Sequence, residues 1–278
     1  MSKNNEKPLV SIITVCYNSE KYIRDTIESV LNQTYDNIEY IIVDGESTDN
    51  TLDIIQDYEP KFNGSMYWIS EPDNGIYDAM NKGIDMANGE IIGIINSDDW
   101  YEKNAVEFVV NKYLITDLDD KFIFHGNMNK YDSEKNKLFT SFRNNKFIEN
   151  KIEYGMPVNH PSVFVSEKIY KKIGNFNTKF KIAGDYDFIY RCYNHGIEFV
   201  YINKILCNMR LGGISDNLRF KLLNLKETYY ISKKHSSCDL CITVLLSNIF
   251  KILIKPLLRY FLKKIGLKQL IIKYYSLK

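Results

Sequence analysis

Residues 9–18, LVSIITVCYN, form a near-continuous apolar, β-branched run, the pattern of a strand covered on both faces. KYIRDTIESVLNQ follows, with Tyr22, Ile23, Ile27, Val30 and Leu31 on one stripe at helical spacing. Asn18 and Ser19 supply the cap chemistry expected at the start of that helix. The pattern then repeats. IEYIIVDGESTDNT (38–51) reads as a strand and a polar turn, and TLDIIQDY as the next helix. MYWIS (66–70) reads as a third strand, NGIYDAMNKGIDMANG (74–89) as a helix stopped by Gly89, EIIGIIN (90–96) as a fourth strand, and AVEFVVNKY as a helix.

This alternation to about residue 115 predicts an α/β fold, a mostly parallel sheet with helices on both faces. Such sheets bind ligands at the carboxyl ends of their strands. Three polar turns fall there: Tyr17-Asn18-Ser19, Asp44-Gly45-Glu46-Ser47 and Asn96-Ser97-Asp98-Asp99. The last follows the apolar Ile94 and Ile95 directly. Adjacent carboxylates repel, and burial makes the repulsion worse, so either this turn is solvated or something positive meets it. Residues 116–165 are less regular, and KFIFHGNMNKYD and KLFTSFR suggest strands of an antiparallel addition. Asp185 and Asp187 precede a helical stretch at 188–194 and read as its caps.

Composition narrows the chemistry. The chain has 278 residues, 45% hydrophobic, enough for one large domain or a domain with an appendage. Its 21 tyrosines have faces suited to stacking on sugar or base. A net charge of +1 gives no global attraction for nucleic acid, so no such partner is expected. The average hides an asymmetry: after Asp239 there is no acidic residue, while Lys251, Lys255, Arg259, Lys263, Lys264, Lys268, Lys273 and Lys278 all fall there. Residues 239–276 thus read as one or two basic amphipathic helices, suited to an anionic membrane surface. The five scattered cysteines and a polar N-terminus suggest a reducing cytoplasm. Cys238 and Cys241 lack a second pair, so zinc is not expected.

The first turn, CYNSEKY, has no glycine and cannot be a dinucleotide loop, and neither a P-loop nor a G-x-S-x-G elbow occurs. The four histidines lack metal-ligand spacing. The remaining common way to hold a phosphate ligand is a divalent cation, Mg²⁺ or Mn²⁺, on carboxylates.

The segments SIITVCYNSEKYIRDTIESVLNQTY, IIVDGESTDNT, SEPDNGIYDAMNKGIDMANGEIIGIINSDDWY, NHPSVFVSEKIYKKIGNFN and AGDYDFIYRC resemble family-2 glycosyltransferases of GT-A fold. They are most similar to the bacterial branch that builds capsule, colanic-acid-like and O-antigen polysaccharides. The resemblance implies a GT-A catalytic domain over 1–215 (a nucleotide-sugar half, 8–115, and an acceptor half, 116–215), followed by a helical basic region, 216–278.

It also implies roles. Asp44 would accept a hydrogen bond from the donor's base, usually uracil, with guanine also open, and Thr14, Tyr17 and Asn18 would line the same pocket. Asn96-Ser97-Asp98 occupies the D-x-D position, with Asp98 carrying the metal and Asp99 close to metal or donor sugar. Asp185 matches the catalytic base of an inverting transfer, and Gly184 stands where an acidic residue is commoner. His160 lies in a segment that borders the acceptor, and Trp100 is a further acceptor candidate. Asn96 is a weaker ligand than Asp, and Asp73-Asn74 stand where a basic residue often faces the donor phosphates. Lys82 and Arg210 are candidates to replace it.

The implied partners are a nucleotide-sugar donor and a glycan or lipid-linked glycan acceptor, at the inner face of the cytoplasmic membrane. Two other readings stay open. A sugar nucleotidyltransferase would need a glycine-rich basic loop after the first strand. A non-catalytic nucleotide- or glycan-binding relative would have no use for Asp98, Asp99 and Asp185 together.

Overall fold

The computed structural model describes residues 7–116, 121–212 and 218–235. The first half follows the predicted alternation: β1 (Val10–Cys16), α1 (Ile23–Leu31), β2 (Ile38–Asp44), α2 (Thr51–Tyr58), β3 (Met66–Ser70), α3 (Ile76–Met86), β4 (Ile91–Asn96), β5 (Trp100–Tyr101) and α4 (Ala105–Leu114). Then come β6 (Phe122–Tyr131), β7 (Lys137–Ser141), α5 (Asn145–Lys151), β8 (Phe164–Ser166), α6 (Glu167–Ile173), α7 (Gly184–Asn194), β9 (Glu198–Arg210) and α8 (Leu218–His235).

The described strands form one sheet in the order β3-β2-β1-β4-β8-β6-β9-β5, with β7 on β6. β1, β2, β3 and β4 pair in parallel. β8 pairs antiparallel to both β4 and β6, and β9 runs parallel to β6. The period of two in the central strands sorts their apolar side chains into two cores. Ile13, Val15, Ile41, Val43, Ile92 and Ile94 face α3 and α7. Ile12, Tyr40, Ile42, Ile91 and Ile95 face α1, α2 and α4. Full burial of such side chains contributes about 1.5–3 kcal/mol each, which makes this sheet a rigid base for the loops at its carboxyl edge.

Three local expectations are corrected. Asn18 and Ser19 do not cap α1, which starts at Ile23 without a side-chain cap. Asn18 instead takes a left-handed conformation (φ 49°) and ties the first loop to the second. α3 ends at Met86, before Gly89, and Gly89 serves the tight entry to β4. α7 begins at Gly184, so Asp185 and Asp187 lie in its first turn. Among the described residues no helix is long and apolar enough to cross a membrane. The basic stretch 239–276, Cys238 and Cys241 lie outside the described residues.

Candidate active site

The loops after β1 and β2 are stitched together by hydrogen bonds. The Asn18 N–H donates to Ser47 Oγ (2.8 Å), the Thr48 N–H to Asn18 Oδ1 (2.8 Å), and the Ser19 N–H to Thr51 Oγ1 (2.7 Å). Ser19 and Ser97 share a hydroxyl–hydroxyl bond of 2.8 Å, which joins this pair to the turn after β4. The predicted rim residues Tyr17, Asn18, Asn96, Ser97 and Asp98 therefore do meet at one edge. Tyr17 is 62% exposed.

Thr14 is not at that edge. It is fully buried in β1, and its hydroxyl accepts from Tyr40 Oη at 3.0 Å. Asp44 is also 0% exposed. Its oxygens receive the Ser47 N–H and hydroxyl, the Ser70 hydroxyl (2.7 Å) and the Cys16 thiol (3.5 Å). Burial, reinforced by this carboxylate, pushes the Cys16 thiol far above its ordinary range. Asp44 thus braces the loop from below.

The two adjacent carboxylates point in different directions. Asp98 is half-buried. Burial raises its carboxyl above the ordinary value, opposed by the nearby Arg210 charge. Asp99 is 1% exposed and faces inward. Its Oδ1 accepts the Arg210 N–H at 3.0 Å, while its Oδ2 has no partner. Burial and the charge of Asp98 push it well above the carboxylate range.

Arg210, at the end of β9, is the positive group that meets this turn. Its Nε approaches the Asp98 carbonyl (3.4 Å) and its guanidinium pairs with Asp25 (2.7 Å). The guanidinium also lies 4.1 Å from the Tyr22 ring centroid and 5.1 Å from that of Trp100, a stacked, desolvated seat that suits arginine. Trp100 packs in turn against Tyr131, with ring centroids 4.9 Å apart and planes tilted by 48°. Lys82 is engaged too, by Glu71 (2.7 Å) and the Pro72 carbonyl (2.8 Å).

Among the described residues no three His, Cys, Asp or Glu side chains gather into a metal cluster. The turn nonetheless fits a hard cation. Besides the Asp98 carboxylate it holds Asn96 Oδ1, a buried oxygen with no donor, and oxygen-only, anionic sets are what Mg²⁺ and Mn²⁺ take, usually completed by substrate phosphates.

Asp185 is the second residue of α7, across from Tyr77 of α3. Its Oδ1 accepts the Tyr186 N–H (2.9 Å) and lies 3.1 Å from Tyr77 Oη, whose single proton is shared with the Ile182 carbonyl (2.7 Å). Its Oδ2 faces His160 Nδ1 at 3.9 Å. Both side chains are about one-fifth exposed, at 19% and 20%, which leaves room for a hydroxyl to approach. A Cβ on Gly184 would fall 2.8 Å from the Tyr77 ring, so glycine stands there because the ring fills the side-chain space. Asp187, read as a second cap, is fully buried and paired with Arg191 at 2.8 Å.

Sequence reasoning missed Tyr77 and Glu227. Glu227, on α8, accepts the N–H groups of Lys181 (2.8 Å), Ile182 (3.0 Å) and Ala183 (2.9 Å), the strap that leads into α7. Three backbone donors on one distant carboxylate leave no mark in local sequence.

The family model for glycosyl transferase family 2 matches residues 11–174. The chain is 32% identical over 223 residues to a hyaluronan synthase of Pasteurella multocida, covering 80% of this chain and 22% of that protein. It is 33% identical over 224 residues to a chondroitin synthase of Escherichia coli, covering 80% and 32% respectively. The chain thus spans between a fifth and a third of the length of these relatives. In fold it is similar to S. aureus TarS in complex with UDP-GlcNAc (TM-score 0.63, 19% identity, 87% of this chain and 73% of that one). It is also similar to a mannosyltransferase of Pyrobaculum calidifontis in complex with GDP-Man and Mn²⁺ (TM-score 0.62, 15% identity, 88% and 69%).

Proposed function

The chain belongs to glycosyl transferase family 2, and from that premise we propose that it transfers a sugar, with inversion, from a UDP-linked donor to a glycan or lipid-linked glycan acceptor in surface-polysaccharide synthesis. The observation that carries the reading is the placement of Asp185. It is a partly exposed carboxylate, oriented by Tyr77 and faced by His160, on a helix packed beside the carboxyl edge of the parallel strands. That is the geometry of a general base positioned to take an acceptor hydroxyl's proton. The likeness to hyaluronan and chondroitin synthases supports a polysaccharide product, and the likeness in fold to a UDP-GlcNAc complex agrees with a nucleotide-sugar donor.

In this reading Asp185 accepts the proton of the attacking hydroxyl while the bond from the anomeric carbon to the donor phosphate breaks. Tyr77 keeps Oδ1 in place, so that Oδ2 faces the acceptor beside His160. Asp98 and Asn96 would hold Mn²⁺ or Mg²⁺, whose charge offsets that of the leaving diphosphate. Asp99 and Arg210 fix the turn from behind. No nucleophilic side chain is required: Cys16, Cys192 and Cys207 are all buried.

The test combines calorimetry with turnover. Asp185→Asn is expected to bind UDP with Mn²⁺ as the unaltered chain does, while turnover of UDP-sugar falls by about 10²–10⁴-fold. Normal turnover in that variant would remove Asp185 from the role. No binding of UDP or GDP by the unaltered chain would favour the non-catalytic reading.

A further inference from the structure

Two carboxylates lie close to the end of β2, and they differ in what they can still accept. Asp44 is saturated by Ser47, Ser70 and Cys16 and has no exposed surface. Asp73 comes in from the loop between β3 and α3 and is half-buried. Its Oδ1 accepts the Gly75 N–H at 2.7 Å. Its Oδ2 has no hydrogen bond to the described residues, and it stands over Gly45: a Cβ built there would lie 2.5 Å from it and 3.6 Å from the Cys16 carbonyl. The glycine after Asp44 therefore opens the space that the Asp73 carboxylate occupies. Any side chain at 45 would expel it.

The surroundings suit a nucleobase. The Gly45 N–H donates to the Cys16 carbonyl at 2.9 Å, which holds the floor of the site against the end of β1. The next residue, Tyr17, presents its largely exposed ring at that edge, and such a ring stacks on a base at little entropic cost. A free carboxylate oxygen beside a stacking ring selects a base that offers a ring N–H. It repels one that offers a lone pair at the same place, because an acceptor would then face an acceptor.

We propose that Asp73, in place of Asp44, accepts the ring N–H of the donor's base, N3–H of uracil or N1–H of guanine, and so excludes cytosine. The proposal rests on the nucleotide-sugar reading above. Asp44 is left the work of fixing the loop, and Gly45 that of admitting Asp73.

The test is calorimetric binding of UDP, GDP and CDP to the full chain with Mn²⁺, alongside Asp73→Asn and Asp44→Asn. N3-methyl-UDP provides an arm that needs no substitution. In the unaltered chain the tighter of UDP and GDP should bind about tenfold or more better than CDP, which also names the base. If that base is uracil, N3-methyl-UDP should bind as weakly as CDP. In Asp73→Asn the preference should shrink to less than about threefold, because an amide serves either base, and Asp44→Asn should keep the preference. Tight UDP or GDP binding with an unchanged preference in Asp73→Asn would overturn the assignment and leave the donor reading standing. A folded Asp44→Asn that loses the preference would return the role to Asp44. No nucleotide binding by the unaltered chain would overturn both.

Discussion

Asp99 places a carboxyl group inside the molecule beside another carboxylate. Burial and the Asp98 charge hold its pKa well above the ordinary range. In the unfolded chain an Asp ionises near pH ~3.9. Between that pH and the raised folded value, the folded state binds more protons than the unfolded one, so stability is lost as pH rises through this window. Asp99→Asn removes the titration while keeping an oxygen for the Arg210 N–H. Its Tm should therefore gain on that of the unaltered chain from pH 4 to pH 8, in metal-free buffer. A constant difference across that range would mean that Asp99 ionises as an ordinary carboxylate. The same residue shows where sequence reading stops at this scale. The SDDW stretch marked both carboxylates as a pair, but neighbouring residues in a turn point to different sides, and only the partner chosen by each side chain separates them. Asp98 faces the rim, and Asp99 faces Arg210, 111 residues further along.

At the scale of elements, α8 acts on α7 through Glu227. The backbone of Ile182 relays the contact: its N–H donates to Glu227 and its carbonyl accepts from Tyr77 Oη, which also touches Asp185. Ser232 on the same helix donates to the Glu153 carbonyl (2.7 Å) and contacts Tyr186 Oη (3.1 Å). Glu227→Ala leaves three backbone donors without their acceptor, at a cost of about 3 kcal/mol, and Tm should fall by about 6–12 °C. Glu227→Gln keeps part of the anchor, and well below its Tm it should lose kcat several-fold with the donor KM unchanged. A Gln variant with full kcat would reduce Glu227 to a purely structural tie.

Elements were legible where the pattern was local. TLDIIQDY, read as a helix, and MYWIS, read as a short strand, coincide with α2 and β3. β5 and β8 were not legible, because two and three residues carry no period, and their existence depends on β9, β4 and β6 coming alongside. For the same reason the parallel pairing of β6 with β9 could not be read from KFIFHGNMNKYD, which local pattern suggests only as part of an antiparallel addition. The start of α7 was misplaced because Gly184, a poor helix residue, is selected by the Tyr77 ring and not by helix propensity.

At the scale of the whole molecule, charge is unevenly distributed along the chain. The stretch after Asp239 holds eight basic residues and no acidic one, and a basic residue near an anionic lipid surface is worth about 1 kcal/mol of attraction. The full chain should float with vesicles containing phosphatidylglycerol and be released by high salt, while a chain ending at residue 238 should stay behind. Equal flotation of both would place any membrane contact elsewhere.

The Asp25–Arg210 pair spans 185 residues, and that distance has a meaning in time. β1 to β4 are joined by short crossovers and can pair as they emerge during synthesis, since local contacts form first. The acidic turn is made with them, but the arginine that meets it follows 111 residues later. At synthesis rates of about 5–20 residues per second, the turn waits roughly 6–22 s for its counter-charge, and the anchor of the α7 strap arrives later still. A nascent chain can thus carry β1 to β4 already paired and still lack the arginine that seats the acidic turn, so that turn is completed only once β9 has been made.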